Sequence, residues 1–290
     1  MPDSDGPNGL LIIDKPSGMT SHDVVDRVRK VLGTKKVGHG GTLDPDATGV
    51  LVLGVGKATR LLSYAQSAPK EYRATAIFGM TTTTQDASGD AVETRPASIG
   101  RDDVAAVVHE FTGSITQIPP MVSAVKIGGE RLYKKARRGE EVERAPRPVT
   151  VYSLALVSWH DSPRPSATFE VRCSAGTYVR TLVADIGGRL GCGAHLSTLR
   201  RTASGGFRLD DAVPLDGVSS AELKPMLEVV GDMRQVEIDQ DDVVTVSHGG
   251  RLDTVDGAAE DEAVAITDGA RLLGIYRRRG DALVPEKVIA

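Results

Sequence analysis

One stretch of the sequence, residues 36–49, combines side chains that could carry out chemistry. It holds Asp44 directly before Pro45, and proline pushes the backbone of the preceding residue toward extended conformations. Three glycines precede this pair, at Gly38, Gly40 and Gly41. Glycine tolerates backbone angles, or a close approach by a ligand, that other residues do not. A carboxylate fixed in such a loop suits a nucleophile or a general base. A helix start with Asp44 as N-cap has the same local pattern and is the more common structure.

Several standard catalytic sites are excluded by the sequence. Residues 49–57 resemble a phosphate-binding loop, but Leu51 and Ala58 stand where that motif needs glycine and Ser or Thr. A dinucleotide fingerprint, a zinc-protease histidine pair and a serine-hydrolase elbow are also missing from the sequence. Asp44 could instead attack an electrophilic carbon, as glycosidase carboxylates do at an anomeric centre.

Two kinds of residue could assist Asp44. An arginine such as Arg180 could hold the carboxylate ionised, since an opposite charge within about 4–6 Å favours the anion. Tyr72 or Tyr178 could stack on a planar base, an interaction worth about 1–3 kcal/mol. Each of these residues also has a purely structural explanation: the tyrosines could be half-buried packing residues, and Arg180 could form a surface ion pair. The local pattern leaves the structural and the functional interpretation open.

The composition is that of an ordinary globular protein of 290 residues, with 40% hydrophobic and 26% charged residues. Two cysteines are too few for a disulfide scaffold or a four-cysteine zinc site. No apolar run approaches the roughly 18 residues that span a bilayer, and the polar, acidic N-terminus is unlike a signal peptide. We therefore expect a cytoplasmic protein with one large or two smaller domains.

Positive charge is concentrated in the middle of the chain, although the net charge is −4. Residues 126–148 contain eight Lys and Arg against four Glu, and residues 164–208 contain seven Arg against two acids. Acidic residues then dominate 209–256. This distribution indicates a polyanion-binding face, while solvated helix faces are the plainer alternative.

Hydrophobic patterning predicts an α+β chain, because strands and helices mix without strict alternation. Ser21 is expected to cap an amphipathic helix before the glycine-rich segment, and Val50 to Val55 to form a central strand after it. Further strands are predicted at 10–13, 71–78, 121–127, 149–159, 167–173 and 196–200. Further helices are predicted at 58–66, 101–111, 131–138, 178–190 and 221–230. A domain boundary is expected near 231–240, followed by compact strands at 243–246, 263–267, 271–276 and 284–289.

Several motifs in one order resemble the bacterial TruB-type tRNA pseudouridine synthases. The resemblance covers roughly residues 9–215 and starts with the segments 11–18 and 38–49. The later motifs are Lys70-Glu71-Tyr72, Pro119-Pro120 with Ser123-Ala124-Val125-Lys126, Gly176-Thr177-Tyr178-Val179-Arg180-Thr181-Leu182, and Leu199-Arg200-Arg201. The resemblance implies a mixed, mainly antiparallel central sheet flanked by helices. It also implies a disordered N-terminus at 1–9, a catalytic domain at 10–232 and a small β-rich, PUA-like RNA-binding domain at 235–290.

The resemblance further implies a role for each candidate residue. Asp44 would be the nucleophile, Arg180 its ion-pair partner, and Tyr72 the base-stacking residue that also handles a proton. His39 would fill the space that the flipped base leaves. The remaining substrate-binding candidates are Gly40, Gly41, Thr42, Tyr178, Leu199, Lys15, Lys134, Arg137 and Arg138. Among them, Lys15 would support the active-site loop, and the basic helix 131–138 would grip phosphates.

The implied substrate is the T-loop uridine at tRNA position 55, flipped out of its stack. No cofactor or metal is implied, and a monomer is expected. Both an attack on C1′ and a glycal route through C2′ remain open. The sequence departs from the family at Thr83, where an acid is usual, and leaves the role of Asp86 undecided. The alternatives are a non-catalytic RNA-binding or RNA-folding protein, or the same chemistry on another RNA.

Overall fold

The structure, a computed structural model, describes residues 6–123, 126–132, 135, 138–140, 142–255 and 257–289. The chain divides into two compact units. Unit 1 comprises Met1–Pro45, Gly49–Ser67 and Ser204–Ala290, and unit 2 comprises Asp46–Thr48 and Ala68–Ala203. Among the described residues, no helix is long and apolar enough to cross a membrane.

Unit 1 is built around a strand that is covered on both faces. Its elements before residue 215 are β1 (Gly9–Lys15), α1 (Ser21–Leu32), β2 (Val37–His39), β3 (Thr48–Val55), α2 (Leu62–Ser67), β13 (Phe207–Arg208) and β14 (Val213–Pro214). Strand β3 runs antiparallel to the whole of β1, and β2 pairs antiparallel with the last three residues of β3, Leu53 to Val55. Leu11 and Ile13 pack with the apolar side of α1, whereas Leu10 and Ile12 pack with Ala65 of α2. The buried strands predicted at 10–13 and 50–55 are therefore confirmed.

The C-terminal part of unit 1 forms a second sheet with the strand order β15-β17-β18-β19-β16. Its elements are β15 (Arg234–Glu237), α5 (Gln240–Ser247), β16 (Leu252–Asp253), β17 (Ala263–Asp268), β18 (Arg271–Arg279) and β19 (Ala282–Val288). The strand predicted at 243–246 is wrong, because Asp239 caps a helix there and accepts a hydrogen bond from the Asp242 amide. The helix predicted at 221–230 is two short 3-10 segments, Ser220–Glu222 and Met226–Val230.

Unit 2 is an antiparallel sheet with helices on one face. Its elements are β4 (Lys70–Phe78), β5 (Met80–Thr82), β6 (Ala91–Thr94), α3 (Arg101–Val108), β7 (Gly113–Gln117), β8 (Lys126–Ile127), β9 (Glu130–Arg131), β10 (Arg147–His160), β11 (Ser166–Cys173), α4 (Val179–Arg189) and β12 (Ala194–Ser204). Strands β4, β11, β10 and β7 are antiparallel neighbours in that order. Val104 of α3 and Leu182 of α4 share a core with Phe78 and Phe169. The predicted α+β class, with a mainly antiparallel sheet flanked by helices, is confirmed.

Two predicted elements of unit 2 are described only in part. The strand predicted at 121–127 is reduced to β8, since residues 121–123 are bends and residues 124–125 lie outside the described residues. Half of the helix predicted at 131–138 lies outside the described residues. Of the rest, Leu132 and Lys135 are helical, Arg131 belongs to the short strand β9 and Arg138 lies in a turn.

Candidate active site

The Asp44 loop does not begin a helix. Pro45 and Asp46 form a turn, and β3 begins at Thr48. In a helix that started at Pro45, its carbonyl would accept a hydrogen bond from the amide of Gly49. Here the Pro45 carbonyl accepts hydrogen bonds from Lys15 Nζ at 2.9 Å and from the Gly18 amide at 3.0 Å. The interpretation of Asp44 as a helix cap is therefore wrong, and its half-buried carboxylate lies on a loop that is held by other means.

Lys15 holds the C-terminal side of this loop. Its side chain is fully buried, and Nζ donates hydrogen bonds to the carbonyls of Pro16 at 2.8 Å, Met19 at 2.5 Å and Pro45 at 2.9 Å. Hydrogen bonds to a buried ammonium are strong because the charge is removed from water. Lys15 thus ties the turn after β1 to the residue that follows Asp44, which fits the support expected of it.

Ser21 holds the N-terminal side of the loop, a role that the sequence interpretation missed. The cap of α1 is Thr20, whose Oγ1 accepts from the Asp23 amide at 3.1 Å, while Asp23 Oδ2 accepts from the Thr20 amide at 2.8 Å. The expected cap, Ser21, is buried instead and binds the backbone of Leu43. The sequence signal for this role is the Thr20-Ser21 pair at the start of the helix. Only one of two neighbouring hydroxyls is needed as the cap, so the other is available for a different contact.

The glycines of the loop are required by packing as well as by backbone angle. Gly41 has a φ of 133°, in a region that favours glycine. Gly40 is buried, and a Cβ added there would lie 2.6 Å from Ala65 Cβ. A Cβ on Gly38 would lie 2.9 Å from Leu62 Cδ1. Helix α2, rather than a ligand, thus excludes side chains at these two positions.

The other substrate-binding candidates of unit 1 lie on the same segment. His39 ends β2, opposite Leu53 of β3, and is half-buried. Thr42 is exposed in the loop that leads to Asp44. These two residues and the glycines are neighbours in the sequence before Asp44, and their binding roles stay predictions.

In unit 2, Arg180 is buried near the start of α4 and pairs with Asp86. Its Nη1 lies 3.3 Å from Asp86 Oδ2. The other oxygen, Asp86 Oδ1, accepts hydrogen bonds from Thr84 Oγ1 at 2.6 Å, and from the Ser88 amide at 3.0 Å and Ser88 Oγ at 2.5 Å. Asp86, whose role the sequence left undecided, is therefore a carboxylate held against the cation, whereas Thr83 is exposed.

The two tyrosine candidates of unit 2 occupy different environments. Tyr72 is half-buried on β4, opposite Val171, and packs against the same apolar core as Leu199. Tyr178 directly precedes α4, and its backbone is fixed by Gln117, which accepts from the Tyr178 amide at 3.0 Å and donates to its carbonyl at 3.2 Å. Gln117 is a buried positioning group that no local sequence pattern identified.

A buried lysine lies two residues before Tyr72. Lys70 is buried, and this burial, together with the charge of Arg201, lowers the pKa of its ammonium to about 8. Its Nζ donates to the Ala68 carbonyl at 2.5 Å, and Cys173 stands opposite it on β11. Burial raises the pKa of the Cys173 thiol to about 11, so the thiol is neutral at pH 7.

The basic segment is described only in part. Lys134 and Arg137 lie outside the described residues. Arg138 is exposed, binds both carboxylate oxygens of Glu130 at 2.8 Å and contacts Glu140 at 2.6 Å. These two carboxylates raise the pKa of Arg138, and an RNA phosphate would have to compete with them. Within the part of the chain that the structure describes, no three His, Cys, Asp or Glu side chains cluster as metal ligands do.

Comparisons with known proteins identify the family of this chain. The family model described as TruB family pseudouridylate synthase (N-terminal domain) matches residues 29–179, and the tRNA pseudouridylate synthase B C-terminal domain matches residues 180–230. A tRNA pseudouridine synthase B from Streptococcus gordonii is 44% identical over 97% of this chain and 99% of its own length. Another from Symbiobacterium thermophilum is 50% identical over 83% of this chain and 82% of its own.

A solved structure is also similar to this chain. The structure of a Cbf5–Nop10–Gar1 complex contains a chain that superposes with a TM-score of 0.75 at 31% identity, covering 97% of this chain and 85% of that one. The fold and these matches define an enzyme that isomerises uridine to pseudouridine in RNA. The chain belongs to the TruB family of pseudouridylate synthases.

Proposed function

We propose that this enzyme isomerises the T-loop uridine at tRNA position 55, with Asp44 as its nucleophile. The tRNA substrate is supported by near full-length similarity to relatives that are named tRNA pseudouridine synthase B. The observation that carries the assignment of Asp44 is its loop, in which both neighbouring residues are hydrogen-bonded to buried side chains. A nucleophile gains most from such fixed geometry, since reaction requires the attacking atom at close range.

The reaction breaks the bond between N1 and C1′ of the uridine, turns the base and joins C5 to C1′. The proton that leaves C5 is balanced by the proton that N1 gains, so the product is an isomer of the substrate. Asp44 either attacks C1′ directly or assists formation of a glycal by removing a proton at C2′. The target base first leaves its stack, at a cost of a few kcal/mol.

The other candidates have supporting roles in this proposal. Tyr72 stacks on the flipped base and moves a proton, and Arg180 favours the ionised carboxylate. Tyr178 and Leu199 line the pocket of the base, and His39 fills the vacated space in the loop. The basic residues Lys134, Arg137 and Arg138 bind RNA phosphates. We expect the enzyme to act as a monomer in the cytoplasm.

The test is turnover of a T-arm stem-loop that carries tritium on C5 of its uridines, because forming the new carbon–carbon bond releases that tritium. We expect Asp44→Ala to abolish release while RNA affinity stays within about tenfold, or roughly 1.4 kcal/mol. Asp46→Ala is the matched control, because Asp46 is an exposed carboxylate in the adjacent turn. We expect this variant to keep wild-type turnover.

Each other outcome has a definite meaning. Normal turnover by Asp44→Ala would remove Asp44 from the chemistry. Wild-type release from a T-arm whose position-55 uridine is replaced by cytidine would reject that position as the target. A wild-type protein that binds the stem-loop without releasing tritium from it, but releases tritium from another RNA, would reject the tRNA substrate.

A further inference from the structure

The side chain of Ser21 satisfies both backbone polar groups of the residue that precedes Asp44. Ser21 Oγ accepts a hydrogen bond from the Leu43 amide at 2.8 Å and donates one to the Leu43 carbonyl at 3.1 Å. Ser21 is only 2% exposed and Leu43 only 3%, so water does not replace these bonds. A buried amide or carbonyl without a hydrogen-bond partner is unfavourable. The position of the Leu43 backbone therefore depends on the position of the Ser21 side chain.

Ser21 is itself held rigidly. It is the first residue of α1, and the reciprocal hydrogen bonds between Thr20 and Asp23 fix the start of this helix. Val24, Val25 and Val28 then bury the helix in the core of unit 1. The Ser21 hydroxyl is consequently a fixed point rather than a mobile surface group.

The two sides of Asp44 are held by different means. Ser21 binds Leu43 on one side, while Lys15 Nζ and the Gly18 amide bind the Pro45 carbonyl on the other. Both contacts start from the segment 15–21, which joins β1 to α1. The direction of the Asp44 Cα–Cβ bond is set by the backbone atoms between these two attachments.

We propose that Ser21 is a positioning residue for the reaction, acting through the Leu43 backbone on the aim of the Asp44 carboxylate. This inference rests on the proposed function of Asp44. Loss of the hydroxyl leaves RNA contacts in place but allows the loop to shift. A displacement of about 1 Å at a reacting group lowers the rate by as much as about 100-fold.

The experiment compares Ser21→Ala with Thr20→Ala under single-turnover conditions, using tritium release from a T-arm stem-loop. Thr20→Ala removes the cap of α1 and keeps the bonds to Leu43, whereas Ser21→Ala keeps the cap and loses those bonds. We expect Ser21→Ala to lower the single-turnover rate about 10- to 100-fold, with RNA affinity within about threefold. Thr20→Ala should lower Tm while its rate stays within about twofold of wild type.

The proposal is overturned if Ser21→Ala keeps the wild-type rate, or if Thr20→Ala loses as much rate as Ser21→Ala. Ser21→Cys covers the case in which the alanine variant does not fold. It keeps the shape of the side chain with a somewhat larger atom, and its thiol is only a weak donor and acceptor. A reduced rate at wild-type RNA affinity supports the proposal, and a wild-type rate overturns it.

Asp44→Ala in the same assay separates this inference from the function on which it rests. If Asp44→Ala is inactive and Ser21→Ala is normal, only the positioning role fails. If Asp44→Ala is active, the proposed function fails first.

Discussion

The contact between Gly40 and Ala65 gives a prediction whose size follows from the structure. A Cβ on Gly40 would lie 2.6 Å from Ala65 Cβ, whereas carbon atoms in contact are about 3.5–4.0 Å apart. The overlap is about 1 Å, and overpacking of a buried site costs typically about 1–3 kcal/mol. The backbone cannot easily move away, because the Gly40 amide donates to the Val52 carbonyl at 2.8 Å. We therefore expect Gly40→Ala to destabilise the protein by this amount.

The matched variant removes the opposing methyl group. Ala65→Gly costs about 1 kcal/mol alone, as glycine does in a helix. In the double variant, the new Cβ of residue 40 occupies the space that Ala65 Cβ leaves. The next atoms that this Cβ meets are the Val52 carbonyl oxygen at 3.5 Å and the backbone carbon of residue 65 at 3.7 Å. The double variant should therefore be more stable than Gly40→Ala. The coupling between the two sites should be about 1–3 kcal/mol in favour of the pair.

Urea unfolding of wild type, the two single variants and the double variant measures this coupling. The free energies of unfolding can be compared as long as the m-value is the same in all four proteins. Because Gly40 lies four residues before Asp44, single-turnover rates should fall in Gly40→Ala and recover in the double variant. Additive destabilisation would refute the packing explanation. A stable Gly40→Ala variant without turnover would instead indicate that a ligand approaches this glycine.

Two further predictions concern charge. Lys70 has a folded-state pKa of about 8, below its ordinary value. Burying its charged form therefore destabilises the folded protein fully below pH 8. This destabilisation is relieved as the pH rises toward the unfolded pKa of about 10.4. Relative to Lys70→Met, wild type should gain up to about 3 kcal/mol across that range in urea unfolding; parallel stability–pH curves would contradict this. Arg138 is held by two carboxylates. Arg138→Ala should therefore reduce the slope of log RNA affinity against log salt concentration by less than one, whereas the double variant Glu130→Gln, Glu140→Gln should steepen it by up to about one. Equal slopes in wild type and these two variants would exclude Arg138 from phosphate binding.

The fold was predictable from the sequence where the burial of a segment permits only one pattern of apolar residues. Leu10 to Ile13 are apolar without alternation, which indicates a strand covered on both faces, and α1 and α2 provide those covers. The segment 243–246 is equally short and apolar, and periodicity alone does not distinguish a strand from a helix at that length. The signal that decides it lies outside the apolar residues, in Asp239 as the N-cap.

The candidate site was predictable only in its proposed reacting groups. Asp44, Tyr72 and Arg180 were chosen by their types and by the resemblance of their motifs. Their attachments join residues that are far apart in sequence: Ser21 to Leu43, Arg180 to Asp86, and Gln117 to Tyr178. Such pairs leave no periodic signal in one sequence, so local patterns do not indicate which polar residues are buried to hold the loop and which face water.

The failed helix-cap interpretation of Asp44 shows how such attachments decide a local structure. Asp-Pro begins a helix when the next residues can complete its first turn. Here Gly49 has a φ of 100°, outside the helical region, and Val50 to Leu53 are committed to pairing with β1. The Pro45 carbonyl is occupied by Lys15 and Gly18 instead. The short turn between Pro45 and Thr48 therefore takes the place of a first helical turn. It keeps the Asp44 carboxylate half-exposed next to fixed backbone, which suits the proposed nucleophile.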